Sequence, residues 1–538
     1  MKQYFIVAIL LVFFISCSEE KEKSVGLPIS STNTDAISFF NKAQIHDQNF
    51  EFNEAKDDYR SAIEIDPNFI LAHINLLRQG NSNTNWIDLS NKNIDIIESL
   101  ISNGTEYEKT LFEMYKIPFK RNDSAVFNKR LRLGQKLINL YPNIDNPLII
   151  LAKQIPNYIS TSLNKDWRNL RKESLLRALE INPNNIVASE ELFYFKYGGT
   201  LNSLRFRSDK NFYDLFDSDA QELISRFPNS PRVLRRVGNI YRNSYDYIDV
   251  TRYEKSLKIF DKLIPILLSR ESSFINDVLK SKADLLINID RKDDCYNVMK
   301  LSIDSSKSLI TKIESTFELF ISYISGGDYL KAIKDINKFD QTLDEGLYDF
   351  NGEEISQKLW LKCKVSLNLY KALIYAHANQ SERAEISLSE YKGYAKKIIQ
   401  FNQIKTDEDF EKYYSENDLS ASRVRWKTIH PQAISNYETW ISVLIGDDKK
   451  TKDLINDLPD NSVWEGINTV IKGDFNKGLE ILSNHDGFYS QYFRAQALIG
   501  EGKINDAKDI LNNLRYIPYQ NFDTSWTKNR AARLYDTL

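Results

Sequence analysis

Four side chains along one stretch of the chain could act together. Arg232, Arg235, Asn239 and Arg242 are separated by three, four and three residues, so a helix starting near Pro231 carries them on one face. A guanidinium is a planar fork of donors that bonds a carboxylate in pairs. The chemistry on offer is therefore capture of an acid group, with no bond made or broken. The same face has a second use, pairing with acids from the next helix pair. Nothing else in the chain points to catalysis or to a metal. The five histidines, His46, His73, His377, His430 and His485, are scattered, with no paired spacing and no neighbouring cysteine. There is no glycine-rich phosphate loop and no nucleophile elbow, and abundant carboxylates alone do not single out an acid pair. No catalytic residue and no cofactor is expected.

The elements that would position the arginines are read from small residues. Ala43, Ala55, Tyr59, Ala62 and Pro67 follow one another at twelve, four, three and five residues, and the interval of twelve returns at Ala372 and Ala384, Gly466 and Gly478, and Ala495 and Ala507. Small side chains at such offsets let two antiparallel helices lie close together, since interhelical distance follows the side chains at the contact. With Phe39 ahead of them, these positions resemble the tetratricopeptide repeat, a helix-turn-helix unit of about 34 residues. His46 stands where that repeat usually has Tyr. Ala178 to Pro183 repeats the end of the first unit, Leu234, Val237, Gly238 and Tyr241 open another, and Leu319, Phe320 and Tyr323 lead into Ala332, Ile336 and Phe339 across Gly326-Gly327-Asp328. The resemblance implies an all-α solenoid, a right-handed superhelix of helix pairs, whose usual business is binding protein or peptide segments. It also implies that Arg235 and Asn239 stand where such domains hold a peptide's terminal carboxylate.

The amino terminus supplies an address. Lys2 precedes an apolar run from Tyr4 to Ile15, too short for a membrane span of about 20 residues. Phe14-Ile15-Ser16-Cys17 resembles the lipobox of bacterial lipoproteins, which implies removal of residues 1–16 and acylation of Cys17 with diacylglycerol and a fatty acid. Ser18, Glu19, Glu20, Lys21 and Glu22 resemble the surface-export signal of Bacteroidota lipoproteins, implying an outer-membrane protein on the cell surface, or else one facing the periplasm. Cys17 then leaves Cys295 and Cys363, too few for a disulfide framework. Cys295 falls at a small apolar position of a repeat and is expected to be a buried thiol.

Composition agrees with this reading. The 538 residues carry a net charge of −3, which argues against nucleic acid as a partner. Only 19 Gly and 13 Pro favour long helices. A chain this long exceeds one ordinary core, a limit that repeats escape because each packs on its neighbours. The expected divisions are a signal peptide at 1–16, an acylated tether at 17–34, a first helical array at 35–270 and a second at 271–538. The stretches 80–90, 344–354 and 405–422 read as loops, and 524–538 as an amphipathic capping helix. The expected function is a non-catalytic, lipid-anchored scaffold for an envelope protein or peptide. The alternative is a glycan-capturing outer-membrane lipoprotein of the starch-utilisation type.

Overall fold

The computed structural model describes residues 26–78, 91–117, 124–155, 165–198, 206, 209–244, 251–345, 356–416, 429–457, 462–517 and 522–538. Residues 1–16, Cys17, the tether up to residue 25 and the stretch 80–90 lie outside them. The described residues form α-helices joined by short turns, with one 3-10 turn at Ile101–Asn103 and no strand. They fall into two compact units, 1–199 and 200–538.

The first unit contains α1 (Thr34–Gln48), α2 (Phe52–Ile65), α3 (Ile70–Arg78), α4 (Asn91–Leu100), α5 (Glu106–Lys116), α6 (Ser124–Leu140), α7 (Asp145–Gln154), α8 (Lys165–Ile181) and α9 (Ile186–Tyr197). Successive helices pack on one another, α1 on α2, α5 on α6 and α7 on α8 most closely. The α1–α2 pair shows why. Asn33 caps α1 by accepting the N–H groups of Asp35 and Ala36 at 3.0 and 3.1 Å. Ala43 of α1 and Ala55, Tyr59 and Ala62 of α2 are fully buried, and the Phe40 ring lies 5.6 Å from that of Tyr59 and 4.8 Å from that of Phe69. Pro67 is exposed. Its work is local: Asp66 before it takes an extended backbone (φ −130°, ψ 91°), which ends α2.

The second unit runs through α10 (Lys210–Arg226), α11 (Pro231–Asn243), α12 (Thr251–Ser269), α13 (Ile275–Asn288), α14 (Lys292–Asp304), α15 (Leu309–Gly326), α16 (Tyr329–Asp344), α17 (Gln357–His377) and α18 (Ser381–Phe401). It continues with α19 (Asp407–Glu416), α20 (Pro431–Ile445), α21 (Asp448–Asp457), α22 (Ser462–Ile471), α23 (Phe475–Leu482), α24 (Phe488–Gly500), α25 (Ile504–Leu514) and α26 (Phe522–Asp536). Each pair from α11–α12 to α24–α25 is a hairpin, and first helices of neighbouring pairs also touch, α11 on α13, α13 on α15, α20 on α22 and α22 on α24. Ala372, Ala384, Ala495 and Ala507 are fully buried at these contacts. Gly466 and Gly478 are buried where α22 meets α23. A Cβ on Gly466 would sit 2.7 Å from Leu482, and one on Gly478 would collide with Val470. The architecture is an all-α solenoid of tetratricopeptide type.

Three expectations change in detail. The division expected at residue 270 falls inside the second unit, at a turn between α12 and α13, which pack together. The acidic stretch 405–422 is not all loop, because 407–416 is helical. Thr406 and Asp409 cap it reciprocally, each side chain accepting the other's backbone N–H at 3.2 and 2.9 Å. The capping helix at the end spans 522–536 and does more than cover α24 and α25: it reaches back to α15.

Candidate functional site

The basic helix α11 begins at Ser230, whose Oγ accepts the Val233 N–H at 3.4 Å, with Pro231 in the first turn. Val233, Leu234, Val237, Ile240 and Tyr241 are buried against the neighbouring helices. That orientation leaves Arg235, Asn239 and Arg242 half-exposed or at the surface edge. Arg232 does not join them; it is 3% exposed and belongs to the buried side. The four residues of the sequence motif are thus split three to one.

The three that remain face α13. Arg235 Nη2 lies 4.0 Å from Asp277 Oδ2, with its guanidinium 4.3 Å over the Phe274 ring. Arg242 Nη1 lies 3.6 Å from Asp284 Oδ2. Between them the Asn239 side-chain oxygen is buried without a hydrogen-bond partner. The row of charges continues to α15, where Lys280 of α13 pairs with Glu318. Glu314, one turn earlier on α15, has its carboxyl pushed up to about 7. Burial is the main cause, reinforced by Glu318 and Asp277 and opposed by Lys280. The strip is therefore basic on α11, alternating on α13 and acidic on α15. It joins three successive repeats.

The pairing of this basic face with acids from the next repeat is one of the two uses the sequence allowed. The acids themselves, Asp277, Asp284 and Glu318, and Lys280 were not singled out. A signal was present, since Arg235 and Arg242 are seven residues apart and so are Asp277 and Asp284. Two helices lying side by side in parallel keep such a spacing in step. His46 is half-buried and hydrogen-bonds Glu51 at 2.7 Å. Cys295 and Cys363 are buried free thiols, each pushed up to about 12 by burial, so neither is a ready nucleophile. Among the described residues no group of three or more His, Cys, Asp or Glu is placed to hold a metal ion. No described helix is long and apolar enough to cross a membrane.

The α1–α2 pair is the part of the chain that a family model matches. Residues 36–69 match the tetratricopeptide repeat model. The matched span runs from the first buried alanine of α1 to Phe69, one whole tetratricopeptide unit. Among solved structures, a human IFIT1 dimer with PPP-AAAA is similar at 12% identity, covering 79% of this chain and 94% of that one, with a TM-score of 0.29. The tetratricopeptide domain of P58(IPK) is similar at 10% identity, covering 94% and 99%, with a TM-score of 0.20. No curated protein sequence matches the chain.

Proposed function

We propose that this protein is a non-catalytic scaffold, anchored to the outer membrane through acylated Cys17, whose tetratricopeptide-type helices bind a peptide segment of an envelope protein. The tetratricopeptide unit at 36–69 supports a protein-binding role. The charged strip joining α11, α13 and α15 carries the assignment to a surface. The arginine side chains keep 30% and 27% of their surface exposed, and their acid partners stand at 4.0 and 3.6 Å. An acidic segment can share the exposed part of these guanidinium forks.

Mild crosslinking of intact cells followed by purification of the full-length protein tests this reading. One envelope protein in stoichiometric amount is expected, with Arg235→Ala plus Arg242→Ala lowering its recovery while helicity is unchanged. Equal recovery with the double variant dismisses the strip as the docking face. Absence of any stoichiometric protein, with retention on polysaccharide, dismisses the scaffold. Mass spectrometry of the mature amino terminus checks the anchor: an acylated Cys17 is expected, and an intact leader overturns it.

A further inference from the structure

The last helix, α26, packs on α15 as well as on α24 and α25. Three successive first helices of the repeats end at Asn288 (α13), Gly326 (α15) and His377 (α17). A helix's carboxy-terminal end carries unpaired carbonyls and partial negative charge. Two cations of α26 bond the first two of these ends, and a third acts on the His377 side chain at the last. Lys528 Nζ donates to the backbone oxygen of Asn288 at 3.1 Å and to its Oδ1 at 2.7 Å, across 240 positions of sequence. Arg533 Nη2 donates to the Gly326 oxygen at 3.5 Å, which Lys292 also bonds at 2.8 Å. Arg530 hydrogen-bonds Tyr492 and lies close enough to His377 to help burial push that imidazole down to about 3.

Lys528 and Arg533 are five residues apart, about 7.5 Å along a helix. That rise lets one basic helix touch two neighbouring helix ends together. Among the described side chains, the contact combines these cations with apolar packing. Of the described side chains on α26, only Thr527 and Ala531 are fully buried, and both are small. Leu534, Tyr535 and Leu538 pack half-buried at the edge of the core. Burial pushes the Lys528 ammonium down to about 8, against a raising effect from Asp290, so holding this charge in place carries a cost.

We propose that the row of helix ends formed by Asn288, Gly326 and His377 is a receptor surface for a cationic amphipathic helix, that α26 is its resident occupant, and that a partner helix with basic residues five apart enters by displacing α26. This surface is separate from the Arg235–Arg242 strip. It rests on the scaffold reading only for the existence of a partner, and its chemistry is testable with the chain's own segment.

The probe is a fluorescent synthetic peptide of residues 522–538, titrated into full-length protein and followed by polarisation. In Lys528→Glu/Arg530→Glu/Arg533→Glu protein the built-in helix loses its hold, and the peptide is expected to bind at least tenfold tighter than to the unaltered protein. Adding Asn288→Lys to that variant is expected to remove the gain. Equal binding to altered and unaltered protein overturns the proposal, as does a gain that survives Asn288→Lys. A second measurement needs no variant. Hydrogen exchange of the unaltered protein with excess peptide is expected to speed up at 522–536 and stay unchanged at 488–500. Unchanged exchange at 522–536 overturns displacement even if the triple variant fails to fold. A failed search for an envelope partner leaves both results standing, so the two ideas fail separately.

Discussion

Where α22 meets α23, the side chains of Leu482 and Val470 pack directly onto Gly466 and Gly478, leaving no room for an added Cβ. Where α11, α13 and α15 meet, the outer contacts are Arg235 with Asp277, Arg242 with Asp284 and Lys280 with Glu318. Both regions stack helix pairs of the same kind. The first is held by shape, which tolerates no added volume and ignores salt. The second is held partly by charge, which responds to pH and to ionic strength. One fold can thus keep a stiff stretch and an adjustable one in the same unit.

The sharpest way to break this contrast is at Lys280. Lys280→Met leaves the buried Glu318 carboxylate without its partner, at a cost of about 3 kcal/mol, whereas Lys508→Met in the shape-held region barely moves the melting temperature. Equal losses would show that charge is not what holds α13 to α15. Next comes volume. Ala507→Leu overpacks the α24–α25 contact by about 1–3 kcal/mol, and a melting temperature unchanged by that substitution would refute the close approach. A smaller effect separates the regions by pH. Glu314 holds a proton more firmly in the fold than in the unfolded chain, so its contribution is present below about pH 4.5 and is lost as pH rises through about 7. Glu314→Gln should therefore raise the melting temperature at pH 8 and not at pH 4.5; a gap equal at both values rules this out. His377 works in the opposite sense, its neutral form favouring the fold until pH falls below about 6.5. The smallest effect belongs to the exposed pairs. Arg235→Ala with Arg242→Ala should cost about 1 kcal/mol or less at low salt and nearly nothing at high salt, read by chemical denaturation. Salt-independent loss would mean that packing of the guanidinium on Phe274 dominates.

The shape-held contacts were legible because they depend on residue size at fixed offsets. Ala43 and Ala55, Ala372 and Ala384, and Ala495 and Ala507 are each separated by one hairpin, and all are buried. The charged strip was half legible. Three arginines at helical spacing stand out, but their acid partners lie a full repeat later, beyond an interruption between α11 and α12. The register of one first helix on the next cannot be counted across such a gap. The burial of Arg232 was missed because a helical wheel does not say which edge of a broad face meets a neighbour. The acidic helix α19 was hidden by its charge; the overlooked cue was the reciprocal cap of Thr406 and Asp409. The return of α26 to α15 had no local signature, since it joins positions 207 and more residues apart.

That return alters how the protein bears load. A series of stacked hairpins extends like a spring when its far end is pulled. Here a tug on the final helix reaches α13 and α15 directly, through Lys528 and Arg533, bypassing the ten described helices between α15 and α26. The first event under tension is then release of one clip, and only afterwards can the intervening coils pay out.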